Sequence, residues 1–368
     1  MADPNASLGV ALVQARTAHN HCTPNPAVGC VITDGSGRLL GSGHTQRPGS
    51  AHAEIDALND AALLGNDVKH AIAYVTLEPC SYHGRTPPCC DALIAAGIKK
   101  VVASIADPNP LVAGRGFERL RAAGIEVVVG PGAAESRELN IGFFSRMIRK
   151  TPWVRMKAAA SLDGKTGLLN GQSQWITGSA ARADGHAWRA RSCAVLTGIG
   201  TVLQDNPRLD VRLAPTPRQP HLVVVDSSLQ TPLDALIFEP ERKLYIYSGR
   251  RNDAKKAALQ ERGATVIYMP GANDKVDLAA MLRDLAAREV NELHVEAGQK
   301  LNGSLIREGL VDELLIYMAP KLMGAGQEIA AFGPLTNLSD ALELQFLSTD
   351  MVGDDLRIVA RIKDREKF

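Results

Sequence analysis

His52-Ala53-Glu54, followed by Pro79-Cys80 and then Cys89, brings together an imidazole, two thiols and a carboxylate with no ligand duty of its own. Zinc takes neutral imidazole and thiolate in a tetrahedron, and three protein ligands leave a fourth position where a bound water loses its proton near neutral pH. In nucleobase deaminases the resulting hydroxide attacks an amino-bearing ring carbon, while a Glu placed beside the His protonates the ring nitrogen and the departing amine. Glu54 stands in that relation to His52. The inventory therefore predicts a zinc-dependent deaminase.

An isolated His-x-Glu is ordinarily a solvated pair on a helix surface, so the prediction rests on context. Ala51 to Leu64 reads as a helix, Ala71 to Leu77 as a buried strand, and Cys89 to Ala96 as a further helix. Cys80 then follows a strand and Cys89 opens a helix, where the macrodipole favours a thiolate. The general deaminase spacing is Pro-Cys-x-x-Cys, whereas here the eight residues Ser81 to Pro88 separate the cysteines. Cys90 and His83 are rival ligands. Cys90 would point away from Cys89 on a helix and His83 could equally serve substrate, so Cys89 is favoured and Cys90 reads as a small buried residue.

With 368 residues the chain exceeds what one core usually supports, and two domains are expected, 1–148 and 149–368. Forty-one basic and forty acidic residues give a formal charge of +1 without a basic run, which argues against an extended nucleic-acid surface and for a small-molecule substrate. Six cysteines are sparse for this length, and the three within Cys80 to Cys90 read as a thiolate cluster rather than a disulfide framework, as expected in reducing cytoplasm. No apolar run approaches membrane-spanning length, and no targeting segment is read at the N-terminus.

The elements that must position these groups alternate between strand and helix. A helix from Leu8 to Ala18 leads into the Pro-rich loop Cys22 to Cys30, whose prolines hold Asn25 stiffly; the amide suits the edge of a flat heterocycle, or forms an ordinary Asx turn. Strands at Leu39 to Gly43, Ile72 to Thr76, Lys100 to Ser104 and Ile125 to Val129 alternate with helices, and one helix is expected from Glu135 to Arg149. Such alternation implies a layered α/β domain. Asp107 to Gly116 lies at a strand end, where ligands of open α/β sheets bind, though a plain Pro/Gly turn reads equally well.

The second half repeats the alternation without a His/Cys cluster. Two stretches there suit phosphate chemistry. Val295 to Ser304 is a strand ending in Gly and small residues before a helix, read as Gly303 to Glu308, and offers a backbone cradle for a pyrophosphate. Thr197 to Arg212 is again strand, Gly turn and helix start, with Arg208 and Arg212 suited to a terminal phosphate. Bland readings stand beside these: Trp175 as core, Lys157 and Lys165 as solvated surface, Asp163-Gly164 as a turn.

Taken together, Thr23 to Gly29, His52 to Glu54, Leu77 to Cys90 with its long inter-cysteine loop, Asp107 to Pro110, Ala160 to Thr166, Gln174 to Thr177 and Val295 to Gly298 resemble the bifunctional riboflavin-biosynthesis deaminase/reductases over nearly the whole chain. The resemblance implies a cytidine-deaminase-like α/β/α domain followed by a dihydrofolate-reductase-like α/β domain. It implies deamination of 2,5-diamino-6-(5-phosphoribosylamino)pyrimidin-4(3H)-one, then reduction of the ribosyl group with NADPH to give 5-amino-6-(5-phosphoribitylamino)uracil. His52, Cys80 and Cys89 match the zinc ligands, Glu54 the proton shuttle, and Asn25 a pyrimidine contact. Ala159, Trp175, Thr201, Asp205, Ser227 and the stretch Gly298, Gln299, Lys300, Leu301, Asn302, Gly303, Ser304 match NADP positions. Ser173, Arg189, Leu209, Arg212 and Glu296 match substrate positions. A cytoplasmic homo-oligomer, dimer or tetramer, is expected, with neither nucleic acid nor membrane as partner. The rival classes are a regulatory protein with a structural zinc, which would need no free Glu54, and an RNA-editing deaminase, which would need a basic surface.

Overall fold

The computed structural model describes residues 4–84, 87–110 and 112–368; Arg85 and Thr86 of the inter-cysteine loop and Leu111 of the Asp107 loop lie outside the described residues. Two compact units divide the chain, Met1–Arg149 and Lys150–Phe368.

The first unit runs α1 (Pro4–Ala18), β1 (Gly29–Thr33), β2 (Leu39–His44), α2 (Ala53–Leu63), β3 (Ile72–Val75), α3 (Cys89–Ala95), β4 (Lys100–Ala103), α4 (Arg115–Ala122), β5 (Glu126–Val129), α5 (Ala133–Leu139) and α6 (Ile141–Arg149). Its sheet has the order β2-β1-β3-β4-β5, antiparallel across β1 and parallel from β3 to β5. The short apolar runs of β1 and β3 are buried, as strands covered on both faces must be. Helix α2 lies directly on β2: a Cβ at Gly41 would stand 2.4 Å from the Ala57 carbonyl oxygen, and one at Gly43 2.4 Å from the Ala57 nitrogen. Only glycine there lets the helix that begins with His52 and Glu54 settle this close to the sheet.

The single helix expected from Glu135 to Arg149 is two helices broken at Asn140. The break frees the Asn140 side chain to brace the Pro-rich loop, with Oδ1 accepting from Ala27 N at 2.7 Å and Nδ2 donating to Ala27 O at 2.9 Å. A side chain that bonds backbone elsewhere competes with helix continuation.

The second unit contains β6 (Trp153–Ser161), β7 (Lys165–Leu168), α7 (Ser179–Arg191), β8 (Ala194–Gly198), α8 (Ile199–Asp205), β9 (His221–Val225), β10 (Leu244–Ser248), α9 (Asp253–Glu261), β11 (Ala264–Tyr268), α10 (Leu278–Ala287), β12 (Glu292–Val295), α11 (Gln299–Arg307), β13 (Glu313–Ala319), β14 (Gly326–Glu328), β15 (Leu344–Val352) and β16 (Asp355–Ile362). Nine strands form one sheet in the order β11-β10-β9-β8-β12-β6-β13-β16-β15. It is parallel from β11 to β13, then antiparallel through β16 and β15.

Alternation along the strands divides the core. Leu196, Val223, Tyr245 and Tyr247 face one cluster with Met281, Leu282 and Leu285 of α10, while Val195, Leu222, Val224 and Ile246 face another with Leu259 of α9. The opposite face of β6, to which Arg155 points between Val154 and Met156 of the first cluster, carries a charged knot. Arg155 donates through Nε to Glu313 at 2.5 Å and through Nη1 to Glu292 at 2.8 Å, with Arg191 on Glu292, Arg361 on Glu313, and the Trp188 ring 4.5 Å from the Arg155 guanidinium. Helix α11 starts at Gln299 rather than Gly303, because Gly298 takes the extended N-cap conformation. Among the described residues no helix is long and apolar enough to cross a membrane.

Candidate functional site

In the first unit, three elements deliver side chains to one place. His52 is the N-cap of α2, Cys80 follows β3, and Cys89 is the first residue of α3. His52 Nδ1 lies 3.6 Å from Cys80 Sγ and 3.4 Å from Cys89 Sγ, and the three ligand atoms all fall within 4.8 Å of one another. Zinc–sulfur bonds near 2.3 Å and zinc–nitrogen bonds near 2.0–2.1 Å at a tetrahedral angle set sulfur and nitrogen about 3.5 Å apart, so the donor set fits the ion in type and spacing. The Cys89 amide at the start of α3 points at Cys80 Sγ, 3.3 Å away.

The two rival ligands are placed elsewhere or left out of the cluster. Cys90 is buried with Sγ 3.2 Å from the Pro79 carbonyl and 3.6 Å from that of Gly116, so its thiol serves the backbone behind the cluster. His83 is exposed and is not in the cluster.

The charges explain how the cluster is poised. A hydrogen bond from the Cys89 thiol, aided by the His52 ring and the Cys89 amide and opposed by burial, holds Cys80 down to about 4 as a thiolate. The same Cys80 hydrogen bond, together with burial, drives the Cys89 thiol upward. A bound dication would deprotonate both. Glu54, only 4% exposed, is pushed up to about 7, first by burial and then by the Cys80 thiolate, against the pull of His52. That places a carboxyl able to take and give a proton near neutrality two residues from His52 of the cluster.

Glu78, which the sequence did not single out, organises the surroundings. Its Oε2 accepts from Asp107 N at 3.1 Å and Gly114 N at 2.9 Å, and its Oε1 accepts from Gly116 N at 2.9 Å. One carboxylate thus ties the Asp107 to Gly116 loop to the strand end that carries Cys80. The fit is tight: a Cβ on Gly116 would come within 2.1 Å of the Pro79 carbonyl oxygen. Asp107 is itself buried and pushed up to about 7 by burial and, with its own Asn109 amide opposing, by the charges of Glu78 and Cys80. Asn25 sits half-buried in a turn closed by its amide on Cys22 O at 3.0 Å.

In the second unit the strand order reverses between β8 and β12, and the loops leaving those strands open helices at Gly198 and Gly298. This is the crevice where open α/β sheets bind ligand. Thr201 and Asp205 lie on α8, with burial raising the Asp205 carboxyl. Gly298 to Leu301 form the mouth of α11. Asn302 turns inward, donating to Ala297 O at 3.1 Å and Ile329 O at 2.9 Å; Gly303 packs against the Ala331 carbonyl; and the Ser304 hydroxyl bonds Lys300 O.

Glu296, at the end of β12, is the hub of the polar cluster. Arg189 grips it with Nε and Nη2, the latter at 2.9 Å, and also donates through Nη1 to Asp210 O at 2.9 Å. Lys157 Nζ lies 3.7 Å from Glu296, and His294 Nε2 3.5 Å. The Arg189 and Lys157 charges hold the Glu296 carboxyl well below its ordinary range despite burial. Lys157 is therefore not the solvated side chain read from the sequence; it is 22% exposed and ion-paired. Lys165 likewise lies 3.8 Å from Glu328.

Trp175 is not core either. It is 62% exposed with the Arg182 guanidinium 4.5 Å over its ring, near half-buried Ser173. Arg208 and Arg212 both pair with Asp210, at 3.1 and 2.5 Å, next to buried Leu209. Ala159 lies on β6, and Ser227 just past β9.

The model for the cytidine and deoxycytidylate deaminase zinc-binding region matches residues 3–105, and that for the RibD C-terminal domain matches residues 152–358. The chain is 44% identical over 347 residues to the riboflavin biosynthesis protein RibD of Escherichia coli K12, covering 90% of this chain and 92% of that protein. It is 39% identical over 351 residues to the protein of the same name from Aquifex aeolicus, covering 95% and 96%. Among solved structures, Acinetobacter baumannii RibD superimposes with a TM-score of 0.89 at 36% identity, covering 98% of this chain and 99% of that one. A diaminohydroxyphosphoribosylaminopyrimidine deaminase/5-amino-6-(5-phosphoribosylamino)uracil reductase from Thermotoga maritima does so with a TM-score of 0.85 at 30% identity, covering 98% of each.

Proposed function

This chain belongs to the RibD family and is a bifunctional deaminase and reductase of riboflavin biosynthesis, and from that premise we propose how its residues carry the two reactions. The first unit hydrolyses the 2-amino group of 2,5-diamino-6-(5-phosphoribosylamino)pyrimidin-4(3H)-one, consuming water and releasing ammonia. The second reduces the ribosyl group to ribityl with a hydride from NADPH and a proton, giving 5-amino-6-(5-phosphoribitylamino)uracil.

His52, Cys80 and Cys89 would hold zinc, which when bound would supply a water acidified to near neutrality. Glu54 accepts one proton from the attacking water and passes it to the ring nitrogen, then carries that water's second proton to the leaving amine, which departs as ammonia as the carbonyl forms. Asn25 contacts the pyrimidine edge from the loop braced by Asn140. In the second unit the mouth of α11 and the start of α8, with Ala159, Trp175 and Ser227, receive the cofactor. Arg189 and Glu296, with Ser173, Leu209, Arg212 and the added Lys157, orient the sugar phosphate, and hydride transfer then depends chiefly on orientation.

The observation that carries this reading is the tetrahedral spacing of His52, Cys80 and Cys89 with Glu54 buried beside them. A structural zinc would have no use for that carboxyl. Metal-replete protein given the diaminopyrimidine ribotide should release ammonia without NADPH and oxidise NADPH only once deaminated substrate is present; absence of both refutes the reading. Glu54→Gln should abolish ammonia release with zinc near one per chain, and unchanged release would overturn the role given to Glu54.

We further place the protein in the cytoplasm as a homo-oligomer. β15 supports the second point: it is a sheet edge nine residues long that exposes Phe346 and Met351, the kind of edge usually covered. Light scattering reports the mass, and a monomer at micromolar concentration refutes it.

A further inference from the structure

We propose that Arg218, His221, Arg242 and Lys243 build a second ligand site in the reductase unit, an anion pocket for a phosphate-bearing small molecule at the end of the sheet opposite the cofactor crevice. None of the residues given to the two reactions lines it.

Strands β9, β10 and β11 run parallel, so the residues at their starts gather along one edge. A cavity of about 830 Å³ opens there, lined by His221, Lys243 and Thr265 at the strand starts and by Arg218 and Arg242 in the connections that precede them. That volume is within the range of small-molecule sites. Five-residue strands set it roughly 15 Å from the opposite strand ends, the side on which open α/β sheets bind their main ligand.

Uncompensated charge sets this pocket apart. Buried cations elsewhere in the unit meet carboxylates: Arg155 meets Glu292 and Glu313, Arg189 and Lys157 meet Glu296, and Arg361 meets Glu313. Among the described residues no carboxylate stands within ion-pair distance of Arg218, Arg242 or Lys243, although exposed Glu241 lines the same cavity. Arg218 Nε, His221 Nδ1 and Arg242 Nε are also shut from solvent without a hydrogen-bond partner, where buried polar atoms normally have one. Burial and then Lys243, Arg218 and Arg242 hold the His221 ring down to about 4; burial, with the charges of Arg189 and Arg208 opposed by Asp210, brings Arg242 down to about 10. An anion seated among them would raise both.

Backbone rather than acid holds the cations in place. Arg242 donates through Nη1 to Leu209 O at 2.5 Å and through Nη2 to Arg208 O, and Arg218 donates through Nη2 to Ser192 O at 3.0 Å. The His221 ring stands edge-on to Tyr245, with centroids 6.1 Å apart. Neutral carbonyls fix a guanidinium without cancelling its charge, so the pocket is preorganised for an anion from outside the chain. Two guanidiniums, an ammonium and an imidazole able to take a proton exceed what one carboxylate neutralises, which selects the double charge and several acceptor oxygens of a phosphate group.

The test uses the full-length protein with pyrophosphate as probe. The reporter is the His221 imidazole resonance, assigned from the spectrum of His221→Gln, which binding in the cofactor crevice leaves unmoved. Pyrophosphate should shift that resonance saturably below millimolar concentration and raise the His221 titration midpoint toward the ordinary imidazole range, while chloride at equal ionic strength does neither. The apparent Kd should weaken at least tenfold in the Arg218→Gln, Lys243→Gln double variant. It should weaken at least threefold in Lys243→Gln alone, whose exposed side chain keeps the test open should the double variant fail to fold. A resonance unmoved by pyrophosphate, an equal response to chloride, or affinities within twofold of wild type in the variants would overturn the site.

Discussion

Replacing Glu78 with Gln should uncouple the two activities. The Glu78 carboxylate accepts three backbone hydrogen bonds, two on Oε2 and one on Oε1, from Asp107, Gly114 and Gly116. Each is charge-assisted, worth roughly 1.5–3 kcal/mol. An amide of the same shape can keep its oxygen toward Asp107 and Gly114 but must then point an N–H at the Gly116 N–H, donor against donor; flipping it loses two bonds instead of one. The substitution therefore costs about 3–5 kcal/mol locally, because one bond is lost, two are weakened and two donors are forced together.

That cost is best relieved by opening the Asp107 to Gly116 loop rather than by unfolding the unit. The Pro79 carbonyl, against which Gly116 packs, lies between Glu78 and Cys80 of the candidate metal cluster, so release of the loop should loosen that cluster as well. A displacement of about 1 Å in such a site costs about 10²-fold in rate. Ammonia release should accordingly fall about 10²-fold in kcat/KM, with zinc near one per chain, while NADPH oxidation with supplied deaminated intermediate stays within twofold. Hydrogen exchange at Gly114 and Gly116 should speed up. Ammonia release within threefold of wild type, or unchanged protection of those amides, would refute the reasoning.

Three more outcomes follow from the geometry. Cys89→Ser should lose zinc by metal analysis at chelator concentrations that leave Cys90→Ser loaded, since Cys89 Sγ faces His52 Nδ1 whereas the Cys90 thiol donates to the Pro79 carbonyl; equal loss in both would put Cys90 in the ligand set. Arg155→Met leaves Glu292 and Glu313 buried without their shared partner and should cost about 3–5 kcal/mol in urea unfolding of the second unit; a change under 1 kcal/mol would refute the network's role. His221 is held down to about 4, chiefly by burial and then by Lys243, Arg218 and Arg242. The unfolded chain thus binds its proton first, and the stability present above pH 6.5 is lost as pH falls toward 4. The loss should be about 1–2 kcal/mol at pH 5 and should vanish from the pH slope in His221→Gln.

What was legible in the sequence is what chemistry forces into short runs. Zinc accepts few residue types at fixed spacings, so His52, Cys80 and Cys89 stand out from two brief stretches, and the alternation of apolar strands with helices gives the α/β layers. Other features depend on register. Glu78 acts through three amides about thirty to forty positions away, and a carboxylate before Pro-Cys carries no mark of that. Lys157 reads as solvated because it is a lysine on a strand, yet the parallel pairing of β12 with β6, Val295 opposite Met156, brings the next residues, Glu296 and Lys157, together. The last two strands went unread for a related reason: the shift between Phe346 and Ser348 breaks the period of two in β15, which is exposed along most of its length.

Cofactor choice shows the same division at its sharpest. In sequence, Val225-Asp226-Ser227 at the end of an apolar strand has the form of a dinucleotide-binding strand with the terminal acid that selects a free ribose. In the fold that acid faces inward, saturated by Gln230 and Thr231. A residue's type predicts its chemistry only where its hydrogen-bonding capacity is still free, and here the acid's is spent on its own turn.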